Sequence, residues 1–352
     1  MTTPLAGVDR IRLFDVDLRF RQPLATPDGV YTGRRSVIVA LDGNGHTGWG
    51  EAPTFPSGRW GTIDQVWEAL AAFDPAGDSL PDTPVAAAGL QAALADLAAR
   101  RAGLPLYDYL GGSRTAVTAR GTVGFADEPG DTVARIGALT AAGVRAVKLK
   151  IGPGRDLVPV QEVRRAFPHL DISVDANGQY SSAADPVFAG LDDLGVTLIE
   201  QPLPSGDLAG LRDLRGRIRA AVCVDESIRS VGDAGAILDA GAADVLSVKV
   251  NRLGLAAWRQ ILRLAIPAGV GVKIGGTFDT AIGRRHLLAA ATLDGVVDAE
   301  IAPPTGYLRD DFASYPPLIA GAVTPEAVPG IGTEPSLAEI ERLMVRSTSI
   351  RR

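Results

Sequence analysis

The chain has 352 residues, 46% of them hydrophobic and 22% charged, which suits one large α/β barrel with a smaller domain. A formal net charge of -6 and the lack of a long basic run argue against nucleic acid as a partner, and no apolar stretch reaches the length of a membrane span. The amino-terminal MTTPLAGVDR lacks a basic region followed by an apolar one, and Cys223 has no second cysteine to pair with, so a cytoplasmic protein is expected.

Residues 7 to about 60 read as a meander of strands. IRLFDVDLRF and SVIVALDGNGHTGWGEA are alternating runs, and the Asp-Gly-Asn-Gly turn at 42–45 joins two of them. From about Pro84 the pattern becomes helical: AAAGLQAALADLAARRAG spaces alanine and leucine for a helix that Gly103-Leu104-Pro105 ends. Residues 1–117 are therefore expected to form an α+β capping domain. The proline- and glycine-rich tail, from about 303 to 352, is expected to return to it.

After Arg120, short apolar runs rich in β-branched residues alternate with helical ones. ARGTVGF, AVKLKIG, DISVDAN, TLIEQPL, AVCVDES, VLSVKVN, GVKIGG and DAEIAP make eight strands, so residues 118–302 are expected to form a modified (β/α)8 barrel, a TIM-type fold whose last helix is short or replaced. Lys150, Asp175, Glu200, Asp225, Lys249 and Gly275 close successive runs at intervals of roughly 25 residues, the size of one βα unit.

In such barrels the chemistry sits at the carboxyl ends of the strands. Lysine is rare here: of 35 basic residues only Lys148, Lys150, Lys249 and Lys273 are lysine, the others being arginine. An ammonium can lose its proton near neutrality when its surroundings lower its pKa, whereas a guanidinium cannot, so the retained lysines point to acid–base work. Asp175 and Asp225 would each suit a helix cap, but three carboxylates on successive strands, Asp175, Glu200 and Asp225, point to a shared cation. Oxygen-only ligation selects a hard ion, Mg²⁺ or alternatively Mn²⁺. Lysines on the second and sixth strands face each other across the barrel mouth. A substrate carboxylate on the metal would hold its α-carbon between them, and the metal would stabilise the enediolate. Lys148 beside Lys150, Arg252 near Lys249 and the metal itself are expected to lower the pKa of the bases. Lys273, lower in the barrel, reads as a structural or supporting residue.

These residues resemble the enolase superfamily, in its mandelate racemase and muconate-lactonising branch. KLK, DAN, IEQPL, DESI and KVNRLG follow the order and spacing of its two-lysine, three-carboxylate pattern, and GWGEAP and GLPLYDYLGG extend the similarity over nearly the whole chain. The resemblance implies Asp175, Glu200 and Asp225 as Mg²⁺ ligands, Lys150 and Lys249 as the acid–base pair, and Lys148, Asn177 and Glu226 as supporting groups. GGTFDTAIGRRHLLAAATL resembles the seventh-strand segment of o-succinylbenzoate synthases and N-succinylamino acid racemases. Gly283, Arg284 and His286 match that pattern, while Thr277, Asp279, Ala281 and Leu287 depart from it. Arg252 resembles the racemase-capable branch.

Substrate selection is expected from loops at Phe20–Arg35 and Ala52–Thr62, with Arg34, Phe55 and Arg59 as candidates together with Gly275, Gly276 and Thr277. The expected activity is that of a lyase or isomerase acting on a small-molecule carboxylate: syn dehydration to o-succinylbenzoate, racemisation of an N-succinylamino acid, or both. Dipeptide epimerisation and muconate cycloisomerisation are the alternatives within the enzyme class, and a catalytically silent binding barrel is the alternative outside it. By resemblance a homo-oligomer is expected. GPGRD at Gly152 is a poor phosphate loop because Pro153 lacks an N–H, there is no Gly-x-Ser-x-Gly elbow, and the three histidines are scattered.

Overall fold

The computed structural model describes residues 7–58, 60–74, 79–126 and 128–351. The chain opens with β1 (Arg10–Thr26), β2 (Gly29–Gly43) and β3 (His46–Pro53), an antiparallel meander followed by helices α1 (Ile63–Ala71), α2 (Pro84–Arg101) and α3 (Leu106–Tyr109). Between β2 and β3 the chain turns at Asn44 and Gly45, both at positive φ (52° and 78°), the twist that a two-residue hairpin turn requires.

This sheet is buried on both faces, which is why SVIVAL reads as a continuous apolar run. Ile11, Leu13, Val37, Val39 and Leu41 pack with Val66 and Leu70 of α1 and Leu90 and Leu97 of α2. Their alternates Phe14, Val16, Leu18, Ile38 and Ala40 belong to the core shared with the barrel. Gly48 and Gly50 on β3 let α2 lie directly against the strand, since a β-carbon at either position would overlap a carbonyl oxygen of α2, that of Ala93 or Gly89.

Next come β4 (Val117–Thr118) and the barrel units β5 (Arg120–Val123), α4 (Pro129–Ala141), β6 (Ala146–Lys150), α5 (Leu157–Ala166), β7 (Asp171–Asp175), α6 (Pro186–Asp193), β8 (Leu198–Glu200) and α7 (Leu208–Arg215). The series continues with β9 (Ala221–Val224), α8 (Val231–Ala240), β10 (Val245–Val248), α9 (Val250–Ala265), β11 (Gly271–Ile274), α10 (Ala281–Ala291) and β12 (Val296–Ala299). The eight strands β5 to β12 form one parallel sheet in sequence order, each in the position expected from its apolar run. β5 and β12 are the ends of this ladder. Arg120 on β5 reaches across the seam to Asp298 on β12 at 2.8 Å.

In place of an eighth outer helix, a 3₁₀ turn at Pro304–Gly306 leads into β13 (Leu318–Ile319) and β14 (Ala322–Val323), which pairs with β4. α11 (Leu337–Leu343) and β15 (Met344–Arg351) follow, and β15 pairs antiparallel with β1, Arg10 opposite Arg351. The tail thus returns to the amino-terminal sheet. No helix among the described residues is long and apolar enough to cross a membrane.

The expected loop at Phe20–Arg35 is instead the continuation of β1 and β2, a long hairpin. Only Pro27 and Asp28 at its tip lie outside the strands, and the tip overhangs the barrel mouth as part of the wall of the central cavity. Arg59 lies outside the described residues.

Candidate active site

Strand alternation places Lys148 and Lys150, two residues apart on β6, on the same inward face. In register Lys150 lies beside Asp175, and Asp175 beside Glu200, so the ends of β6, β7 and β8 bring these side chains together. Lys150 Nζ donates to Asp175 Oδ2 at 2.6 Å and to Asn177 Oδ1 at 2.8 Å. Asn177, in the left-handed region at φ 45°, passes its amide on to Glu226 Oε1 at 2.7 Å. Lys148, one layer deeper, lies 3.1 Å from both Asp175 Oδ2 and Glu200 Oε2. On the far side, four strands round the barrel, Lys249 follows β10 and pairs with Asp225, while the ring of Trp60 lies 5.6 Å from its Nζ. Lys150 and Lys249 line one cavity of ≈ 140 Å³, together with Lys148, Asp175, Asn177, Asp225, Glu226 and Phe55.

Arg252 does not reach this cavity wall. Its guanidinium donates to the Ile228 carbonyl at 2.6 Å and lies 5.3 Å from the Trp60 ring, so it braces the aromatic side chain that covers Lys249.

Lys273 is fully buried beneath the cavity, bonded to Glu200 and, at 2.8 Å, to Glu300 Oε1. Glu300 also pairs with Lys148. The sequence reading passed over Glu300, although it is the last polar residue before the apolar end of DAEIAP and the rule that picked Asp175 and Glu200 would have found it. Gln201 was missed too. At φ 38° directly after Glu200, it accepts from the Asp225 backbone N–H at 3.0 Å and donates to the Leu203 carbonyl at 2.8 Å, fixing the turn that carries Asp225.

The expected convergence of three carboxylates on one point is not the observed arrangement. Among the described residues no group of three His, Cys, Asp or Glu side chains is arranged to hold a metal ion. The physical reason is charge pairing. Each carboxylate has turned to an ammonium: Asp175 to Lys150 and Lys148, Glu200 to Lys148 and Lys273, Asp225 to Lys249. The donor set nevertheless fits a hard divalent ion, being three buried oxygen donors on adjacent strands. Glu200 carries the sign of incomplete compensation. Burial raises its pKa, Lys148 and Lys273 pull it down, and Asp175 and Glu300 push it up again, for a net rise.

Among the protein's own side chains, burial lowers the pKa of Lys249, but the charges of Asp225 and Glu200 outweigh burial and the net direction is upward. Lys148 behaves likewise, with burial overcome by Glu200, Glu300 and Asp175. Both lysines are surrounded by more carboxylate than cation.

Arg34 is not a substrate contact. It sits within β2 with its side chain sealed from solvent, paired with Glu51 on β3, and donates through Nε to the Phe278 carbonyl at 2.9 Å. Glu51 in turn accepts from Thr280 N at 2.9 Å, Thr280 Oγ1 at 2.6 Å and Gly283 N at 3.2 Å, closing the amino end of α10 from the other sheet. The motif GWGEAP and the segment after β11 are thus one joint. Phe278 holds a left-handed conformation (φ 58°) that is costly for a bulky side chain, packed between Phe20 and Tyr307. Thr277, beside it on the cavity wall, is held by Asn251 Nδ2 at 2.6 Å. Gly276 lines the same wall, and a β-carbon on Gly275 would stand 3.3 Å from Lys249 Cγ and 3.5 Å from its Nζ.

With two opposed lysines over buried carboxylates at the end of an eight-stranded barrel, the comparison with known proteins has one outcome. Residues 131–340 match the enolase C-terminal domain-like family. The chain belongs to the enolase superfamily. It is an enzyme of that superfamily, 30% identical over 362 residues to the o-succinylbenzoate synthase of Geobacillus kaustophilus, with 96% of each chain covered. It is also 32% identical over 357 residues to the N-succinylamino acid racemase of Thermus thermophilus, with 95% of each covered. A solved structure of a probable mandelate racemase from Alicyclobacillus acidocaldarius has a TM-score of 0.85 to it at 29% identity, covering 98% of this chain and 99% of that one.

Proposed function

We propose that this superfamily enzyme abstracts a proton α to a carboxylate of a substrate bearing a succinyl group, acting as an o-succinylbenzoate synthase, an N-succinylamino acid racemase or both. The observation that carries this reading is the pair of amines, Lys150 and Lys249, on opposite walls of one cavity four strands apart. A substrate α-carbon between them can give its proton to one lysine, become planar, and take a proton from the other lysine on the opposite face.

Asp175, Glu200 and Asp225 would hold Mg²⁺ or Mn²⁺. Bound there, the cation would offset their charge and stabilise the negative charge that develops on the substrate carboxylate. The chain's own residues divide the remaining work. One lysine takes the α-proton, and the bonding pair stays on the substrate as an enediolate. In racemisation the opposite lysine returns a proton to the other face. In syn dehydration the first lysine returns its proton to the departing hydroxide, which leaves as water. Asn177 orients Lys150, Trp60 covers Lys249, and Phe55 with the hairpin tip keeps bulk water from the cavity.

The test is incubation with Mg²⁺ in D₂O, following α-proton exchange of N-succinyl amino acids and dehydration of the o-succinylbenzoate precursor by NMR. Exchange that disappears in Lys150→Ala or Lys249→Ala assigns the racemase, and dehydration assigns the synthase. Silence on both substrates moves the substrate to dipeptides or muconates. No binding of Mg²⁺ or Mn²⁺ by calorimetry overturns the metal-assisted reading itself.

A further inference from the structure

Arg284 stands apart from the other cations that line the cavity. Lys148, Lys150, Lys249 and Arg120 each touch a carboxylate. Arg284, one turn into α10, does not: its nearest carboxylate, Asp279, is 4.0 Å away. Asp279 is already engaged by Asn251 Nδ2, by Thr277 N at 3.0 Å and by Thr277 Oγ1 at 2.9 Å. Nε and Nη2 of Arg284 both donate to the Tyr307 hydroxyl, at 3.1 and 2.6 Å, and that hydroxyl donates onward to the Asp279 carbonyl. Nη1 makes no hydrogen bond among the described residues. It faces Gly276, where a β-carbon would stand only 2.8 Å from it.

An arginine that is 4% exposed and has no carboxylate in hydrogen-bonding contact is costly, and its planar fork suits a carboxylate. The neighbouring cavity wall is formed by Phe278, Ala302, Pro303 and Tyr307, a lining for an acyl chain ending in a charge. The position is also right. Gly275 adjoins Lys249 Nζ and the next residue, Gly276, adjoins Arg284, and consecutive Cα atoms lie about 3.8 Å apart. The base and the guanidinium therefore look into the cavity from points one residue apart, a reach of a few bonds on the substrate.

We propose that Arg284 binds the distal carboxylate of the substrate and selects dicarboxylates of the N-succinyl type over acyl groups that end without charge. This deepens the proposed function and rests on it for the identity of the reacting carboxylate. Gly276 is part of the device, because any side chain there would block Nη1.

The test pairs an N-succinyl amino acid with its distal methyl ester, which keeps the shape and removes the charge. In Arg284→Met the KM ratio of acid to ester is expected to rise about 10–100-fold over wild type, the loss of one charged hydrogen-bonding partner, with Arg284→Lys in between. Gly276→Ala, which leaves the arginine in place, should move the same ratio in the same direction. Calorimetric binding of the two compounds to the Mg²⁺-loaded protein gives a readout independent of turnover. Acid bound more tightly than ester by wild type, and equally by Arg284→Met, supports the assignment. Equal binding by wild type, or a variant that loses both compounds alike, overturns it. If wild type prefers the acid but exchanges no α-proton, the reaction assignment fails while the subsite stands.

Discussion

Glu51 and Glu200 are both buried carboxylates with several polar partners, yet they are held by different kinds of donor. Glu51 receives a guanidinium, hydroxyls and backbone N–H groups from β2 and from the amino end of α10, each directed by its own element. Glu200 receives two ammonium groups and, at 3.4 Å, the Ser247 hydroxyl. Directed donors lock a joint in one geometry, whereas ammonium groups on flexible stems are rotatable point charges that another cation can displace. The joint between cap and barrel is built to stay, and the floor of the barrel is built to exchange partners.

The largest effects should fall on the exchanging side. Lys150→Ala or Lys249→Ala is expected to lower kcat/KM by about 10²–10⁴-fold, the usual contribution of a positioned acid or base. If the enzyme is a racemase both variants lose racemisation, and single-direction exchange assays show which face each lysine serves. A small loss in both would move the chemistry away from the lysines and dissolve the contrast.

On the locked side, Glu51→Ala strands Arg34 and the first N–H groups of α10, and breaking such a buried pair costs about 3–5 kcal/mol. Urea unfolding should show it as a shift in midpoint. A near-neutral result would mean that water replaces Glu51 and that the joint is softer than its geometry implies.

Asp311 provides a pH test of the same joint. It accepts from the Ala281 N–H at 2.8 Å at the start of α10, and its pKa is pushed up to about 6, first by burial and then by the charge of Glu51. The folded pKa lies above the unfolded value of 3.8, so between pH 4 and 6 the folded state binds more protons than the unfolded one. Stability contributed by this group is therefore present at low pH and lost as pH rises through 6, by up to about 3 kcal/mol. Asp311→Asn should flatten that slope in urea titrations taken from pH 4 to 7, and an unchanged slope would assign it to other groups.

The smallest effect is expected at Gly50→Ala, where the added methyl meets the Gly89 carbonyl of α2 and forces helix and strand apart, at a cost of roughly 1–3 kcal/mol. It should lower the melting temperature while leaving the lysine-dependent exchange rate per folded molecule intact. A fall in that rate would show that the cap's seating on α2 reaches the active site.

The eight strands and the lysines and carboxylates at their ends could be read in advance because each depends on a local regularity. Apolar runs about 25 residues apart, strand alternation and the rule that barrel chemistry sits at strand ends are properties of short segments. Glu300 and Gln201 were within reach of the same rule. Arg34 was misread for a physical reason: its stretch has the glycine and proline of a loop, but a hairpin with enough cross-strand pairing carries such residues inside its strands.

The sequence by itself determined which side chains face the barrel mouth, since backbone periodicity alone sends Lys150, Asp175, Glu200 and Asp225 to the same end. Only the tertiary structure decided which partners they take there. The choice between ammonium and carboxylate, the junction of Glu51 with α10 some 229 residues away, and the open face of Arg284 all depend on how cap, barrel and tail are seated against one another. That seating is a sum of many long-range packing contacts, none of which leaves a periodic trace in the chain.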